Sequence, residues 1–187
     1  MMISDAMNAG VNPGGLRSRT DIRVLICYIL NSISSPVPLD SVKEQLHFNG
    51  IANYFETAFA ITELTESEHI SVTVEDGTSL YTLNESGRSV CDALAGSLPQ
   101  SVKDNSLKIA EGIVNRRRNE RENKVSIEKT DLGVYVTCSV MEKQLELVSV
   151  KLLVPDDDTA DTVKENFLNN PIETLVNVTA ALTGMKL

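Results

Sequence analysis

This sequence contains no tryptophan, and only 4% of its residues are aromatic. That excludes a protein that reads single strands by stacking bases on many rings. Cations are scarce too. Lys and Arg number 17 against 26 Asp and Glu, a formal charge of −9, which excludes a globally basic nucleic-acid binder. There are two histidines, His47 and His69, and three cysteines, Cys27, Cys91 and Cys138. The cysteines are odd in number, far apart and form no C-x-x-C pair, so neither a disulfide framework nor a zinc site follows. Buried, reduced thiols are expected instead. The longest unbroken apolar run, Val24 to Leu30, is far short of the about 20 residues that cross a bilayer. The first fifteen residues lack the apolar stretch of a secretory signal. A cytoplasmic protein that does not associate with membranes is expected.

Hydrophobic residues are 42% of the 187, enough for a packed core in one large domain or two small ones. Residues 1–15, ending in Asn12-Pro13-Gly14-Gly15, read as a flexible N-terminus. Ile22, Leu25, Ile26, Ile29, Leu30 and Ile33 then recur with a 3.6 period, a helix capped by Thr20 and ended before Pro36 and Pro38. A second helix is expected from Asp40 to Phe48, with Val42 and Leu46 inward, and a turn at Asn49-Gly50. A third should span Ile51 to Ser67. Its inward stripe is Ile51, Phe55, Ala58, Ile61 or Thr62, and Leu64 or Thr65. The period then drops to 2 in Ile70-Ser71-Val72-Thr73-Val74. Asp76-Gly77 marks a hairpin tip with Gly77 at positive φ, and Leu80, Tyr81 and Leu83 form the return strand. A fourth helix follows, with Val90, Cys91, Leu94 and Leu98 on its apolar side and Pro99 closing it.

Beyond residue 100 the pattern predicts a helix from Ser101 to Asn123 and three strands. Val125 and Ile127 lie in the first of these, and Val134, Val136, Cys138 and Val140 in the second. In the third, apolar parity shifts by one near Leu147-Val148, which predicts a β-bulge or a strand buried on both faces. Two helices finish the chain. Asp158 or Thr159 caps the first, with Ala160, Val163 and Phe167 inward. Asn170-Pro171-Ile172-Glu173 starts the second, with Ile172, Leu175, Val176, Thr179 and Leu182 inward and Gly184 as its stop. The fold class is α+β.

The order helix, helix, helix, hairpin, helix over about Leu16 to Leu98 resembles a winged helix-turn-helix domain. Two stretches carry the resemblance: Ile61-Thr62-Glu63-Leu64-Thr65-Glu66-Ser67-Glu68-His69-Ile70, and Tyr81-Thr82-Leu83-Asn84-Glu85-Ser86-Gly87-Arg88. The first departs from the family pattern, with Glu68-His69 where a glycine usually precedes the Ile. The whole arrangement also resembles an uncharacterised bacterial family of transcriptional regulators, a domain of unknown function. The resemblance implies a winged helix-turn-helix domain over 16–99 and a C-terminal α/β domain over 100–187 with a dimerisation or ligand-sensing role. It also implies a DNA-binding, homodimeric regulator whose third helix enters the major groove.

On that reading Asn53, Tyr54 and Thr57 contact DNA, and Asp76 and Gly77 form the wing tip. Glu56, Ala60 and Glu63 share the outward face. Ile51 to Gly77 contains six acidic side chains and no Lys or Arg. Phosphate-neutralising charge must therefore come from Arg17, Arg19, Arg23 and Lys43, with Arg116, Arg117, Arg118 and Arg121 as a second basic patch. The competing expectation is an interaction module that keeps the fold without binding duplex DNA. The run Asp156-Asp157-Asp158 with Asp161 lacks calcium-loop spacing and suits a helix start. No nucleophile, phosphate-loop or zinc motif is present, so neither catalytic residues nor a metal nor a cofactor is expected, and the protein does not read as an enzyme.

Overall fold

The computed structural model describes residues 10–184; the first nine residues of the expected flexible N-terminus lie outside the described residues. The elements in chain order are α1 (Arg19–Ser32), α2 (Leu39–Phe48), α3 (Tyr54–Glu66), β1 (Ile70–Glu75), β2 (Thr78–Leu83) and α4 (Glu85–Leu94). They continue with α5 (Gln100–Glu122), β3 (Lys124–Thr130), β4 (Gly133–Glu142), β5 (Leu145–Val154), α6 (Asp157–Asn169) and α7 (Pro171–Thr183). The fold is α+β, in two compact units divided after Val114, within α5.

In the first unit α1 is the central element. Ile22, Val24, Leu25, Ile26, Cys27, Ile29 and Leu30 are all buried. Val42 and Leu46 of α2, Ala60, Ile61 and Leu64 of α3, Cys91 of α4, and Val102 and Ala110 of α5 join the same core. Burial pushes the Cys27 thiol up to about 11, so it stays protonated and inert. The chain before α1 is tied down: the Asn12 N–H donates to the Gly50 carbonyl at 2.8 Å and Leu16 N–H to Ile51 at 2.7 Å. Val37, in the Pro-flanked connection, exchanges two backbone hydrogen bonds with Tyr81 and so adds a bridge to the hairpin.

α3 departs from its expected phase. Glu56, Thr57, Ala60, Ile61 and Leu64 are buried, whereas Phe55 is 68% and Phe59 54% exposed. The cause lies at the helix start. Ile51 is buried but precedes the helix, and Asn53 is the non-helical N-cap. A 3.6-residue count from Ile51 therefore does not apply to the turns that follow.

The hairpin pairs Ile70 with Leu83 and Glu75 with Thr78, leaving Asp76-Gly77 as a two-residue turn. Both turn residues have positive φ, 49° and 75°, as a type I′ connection requires. Gly77→Val should cost about 1 kcal/mol or more, since a β-branched side chain is disfavoured there; thermal unfolding of the variant checks this. Val72 and Val74 are exposed, because among the described residues no second layer covers that side of the two-stranded sheet. Glu68, standing where the resemblance puts a glycine, still adopts φ 56°. Asn84 Nδ2 and Ser86 Oγ both donate to its carbonyl at 3.0 Å and hold it there.

In α5 the Ser106 hydroxyl is fully buried and has no hydrogen-bond partner among the described residues. Removing an unpartnered buried hydroxyl and gaining helix propensity both favour alanine. Ser106→Ala should therefore stabilise the first unit by about 1 kcal/mol, measured by urea unfolding.

The second unit holds the sheet β3-β4-β5, antiparallel throughout. Val134, Val136, Cys138 and Val140 of β4 pack with Ala160, Phe167 and Leu168 of α6. Pairing runs Val140 to Val148 and then Met141 to Glu146. Leu147 is thus the extra residue of a bulge, at the expected parity shift. α6 is capped by Asp156 rather than Asp158 or Thr159; its carboxylate accepts from Thr159 N at 2.8 Å. Hydrogen bonding by the Thr159 hydroxyl, and then by its N–H, holds the Asp156 carboxyl below its ordinary value. Asn170 caps α7 by accepting from Glu173 N, and Gly184 ends it at φ 72°, both as expected. Of the α7 stripe, Leu175 packs against the core as expected. Ile172, Val176 and Leu182 are instead exposed, because apolar side chains occur all round this helix and only the side bearing Pro171, Leu175 and Val178 turns inward.

Candidate functional site

Asn53 stops one residue short of α3, and its side-chain oxygen accepts from Phe55 N at 2.9 Å and Glu56 N at 3.2 Å. Thr57 Oγ1 donates back to the Asn53 carbonyl at 2.8 Å. Both residues are buried, at 4% and 1% exposure. The two side chains expected to meet bases are therefore built into the helix start and the core. The sequence signal was an Asn followed three residues later by Glu, the signature of a helix N-terminus.

Glu56 and Glu63 are the next layer. Arg19 reaches from α1 with Nε 2.8 Å from Glu56 Oε2 and Nη2 3.4 Å from Oε1. Its Nη1 lies 3.4 Å from Glu63, and Arg23 meets the other Glu63 oxygen at 3.4 Å. Two of the expected phosphate-binding cations are thus neutralised by carboxylates of the helix they were to assist. Lys43 pairs with Asp40 at 3.0 Å and sits 4.8 Å from the centre of the Tyr54 ring. Arg17 is exposed. Asp76 and Gly77 stand at the exposed hairpin tip.

The second basic patch belongs to the other unit. Arg116 is the hub: it pairs with Glu120 at 2.9 Å and Glu165 at 2.8 Å, and donates to the Glu165 carbonyl and Asn169 of α6. Arg118 lies 3.9 Å from Glu122, and Arg117 and Arg121 are also engaged. Arg116 thus clamps α5 to α6 within its own unit, whereas the Arg118 contact stays within α5.

What α3 presents to solvent instead is aromatic. Phe55 and Phe59, four residues apart, occupy one exposed face. Tyr54 stacks edge-on against Phe55 at 5.5 Å and against His47 at 6.2 Å. Arg19 lies 5.3 Å from the Phe59 ring centre. Phe48, at the end of α2, is 85% exposed. Three of the four phenylalanines in the chain therefore face solvent on α2 and α3. His69 Nδ1 approaches Ser67 Oγ at 2.6 Å, but that hydroxyl donates to the Glu63 carbonyl at 2.7 Å. The single hydroxyl proton has the Glu63 carbonyl and the His69 ring nitrogen as competing acceptors.

Among the described residues, no group of three or more His, Cys, Asp or Glu could hold a metal ion, and no helix is long and apolar enough to cross a membrane. No curated protein and no solved structure gives a significant match to the chain. A family model described as a domain of unknown function, DUF4364, matches residues 22–182, and the chain belongs to that family.

Proposed function

We propose that the first unit is a protein-interaction module on a winged-helix frame, docking a basic, apolar segment of a partner protein on the aromatic face of α3. One observation carries this reading: α3 turns Asn53 and Thr57 inward and presents Phe55 and Phe59 to solvent. Exposed aromatic clusters mark interfaces, and aromatic side chains dominate interface energetics. Glu56 and Glu63 are already paired with Arg19 and Arg23, so the preference for a cationic partner over phosphate comes from the other carboxylates of a stretch with no Lys or Arg from Ile51 to Gly77. Arg19 over Phe59 and Lys43 over Tyr54 already illustrate how cations seat on these rings. The three unpaired, buried thiols suit a cytoplasmic setting.

The test compares an amphipathic Lys/Leu peptide with oligolysine on the full chain. The first should bind more tightly, and Phe55→Ser with Phe59→Ser should abolish that advantage without lowering the melting temperature. A random-sequence DNA duplex should not bind at near-physiological salt.

The second reading is a homodimeric DNA-binding transcriptional regulator, favoured by the order of α1 to α4 with the hairpin before α4. Under it, Glu63→Gln, by releasing Arg23, should strengthen duplex binding and steepen its salt dependence. Duplex affinity that survives near-physiological salt and falls with Arg17→Ala would decide for this reading against the first.

A further inference from the structure

The second unit contains a cavity of about 370 Å³ between the helix-facing side of its sheet and the helices α6 and α7. Its size falls in the range of small-molecule sites. The floor is apolar: Val150 and Leu152 of β5 beside Cys138 of β4, with Phe167 of α6 as a wall. Leu152 is 44% exposed although it lies on the packed side of the sheet, so the helices leave this part of the sheet uncovered.

The opposite wall is polar. Glu173, Thr174 and Asn177 lie along one flank of α7, and Asn166 of α6 joins them. The Thr174, Asn177 and Asn166 side chains make no hydrogen bond among the described residues. Glu173 is positioned: Asn170 Nδ2 donates to its Oε2 at 3.1 Å, while the Glu173 N–H donates to Asn170 Oδ1. Among the described residues, no Lys, Arg or His lines the cavity. Cys138 is a protonated thiol, its pKa raised by burial, so the lining carries one negative charge and no positive one.

We propose that this cavity binds a small amphipathic amine, its apolar body on Val150, Leu152 and Phe167 and its ammonium on Glu173. A carboxylate with no cation beside it among the described residues, at the solvent-open wall of an apolar cavity, favours a cationic donor head and disfavours an anion. The apolar floor demands that the head be joined to a hydrocarbon or aromatic body. The site is independent of what the first unit binds.

Hexylamine, hexan-1-ol and hexanoate, matched in chain length, serve as probes on the full chain, read by thermal shift and by calorimetry. Hexylamine should bind most tightly, hexan-1-ol less so, and hexanoate not measurably. Glu173→Gln should weaken hexylamine about tenfold and leave hexan-1-ol unchanged. Thr174→Phe, which fills the cavity from its half-buried rim, should remove both. Should that variant fail to fold, the Glu173→Gln contrast still decides. Binding of none of the three, hexanoate binding as tightly as hexylamine, or hexylamine binding unaffected by Glu173→Gln would overturn the proposal.

Discussion

Replacing Gly87 by alanine should destabilise the first unit by about 3 kcal/mol, near the top of the range for overpacking a tight site. A Cβ at this position would lie 2.4 Å from the His69 carbonyl oxygen and 2.5 Å from Leu83 Cδ1. The first neighbour cannot move aside. That carbonyl accepts the Asn84 N–H at 2.9 Å, and Ile70, the next residue, is fixed in register with Leu83. The first turn of α4 therefore rests directly on backbone, which is why the Tyr81-to-Arg88 stretch needs a residue without a side chain there. Gly112 provides the control. It is exposed within α5 with nothing near its would-be Cβ, so Gly112→Ala should stabilise by about 1 kcal/mol through helix propensity. Urea unfolding followed by circular dichroism separates the two. Equal effects would remove the close-approach account of Gly87.

Asn53→Ala should cost about 2 kcal/mol, the upper end for losing an N-cap. The side chain satisfies two orphan amides, and a 4% exposed site admits little water to replace it. Asn53→Ser should recover more than half of the loss, because a serine hydroxyl can accept the same bonds. A base-reading Asn would behave otherwise, with little change in stability for either variant and a large change in duplex affinity. Melting curves of the two variants, set beside duplex titrations, therefore test the placement of this residue directly.

These placements show which parts of the molecule are legible in a single sequence. Local chemistry is. Asp76-Gly77 demands a turn with positive φ, Asn170-Pro171-Ile172-Glu173 demands a helix start, and the parity change at Leu147 demands a bulge or a strand buried on both faces. The first two are decided by neighbours along the chain; for the third, the pairing of β4 with β5 gives the bulge. The phase of α3 is not, because it depends on whether Ile51 belongs to the helix, and Ile51 is buried either way. Counting from it places Phe55 inward and Asn53 and Thr57 outward, whereas Phe55 is exposed and Asn53 and Thr57 are buried; Ile61 and Leu64 are buried as expected. The Arg19–Glu56 and Arg23–Glu63 pairs cross 37 and 40 positions, a separation that charge counting cannot reach. The cavity beside Glu173 arises from incomplete coverage of a sheet, which no helical pattern records.

Asn170 ends α6 and begins α7, with no residue between the two caps. A junction of this kind has no slack with which to absorb fraying. Once Asn170 releases the Glu173 amide, the first turn of α7 loses its cap at the same residue where α6 ends. Hydrogen exchange under native conditions should therefore show α6 and α7 opening as a single cooperative unit. Their amides would share one opening free energy, and whatever slows one helix would protect the other.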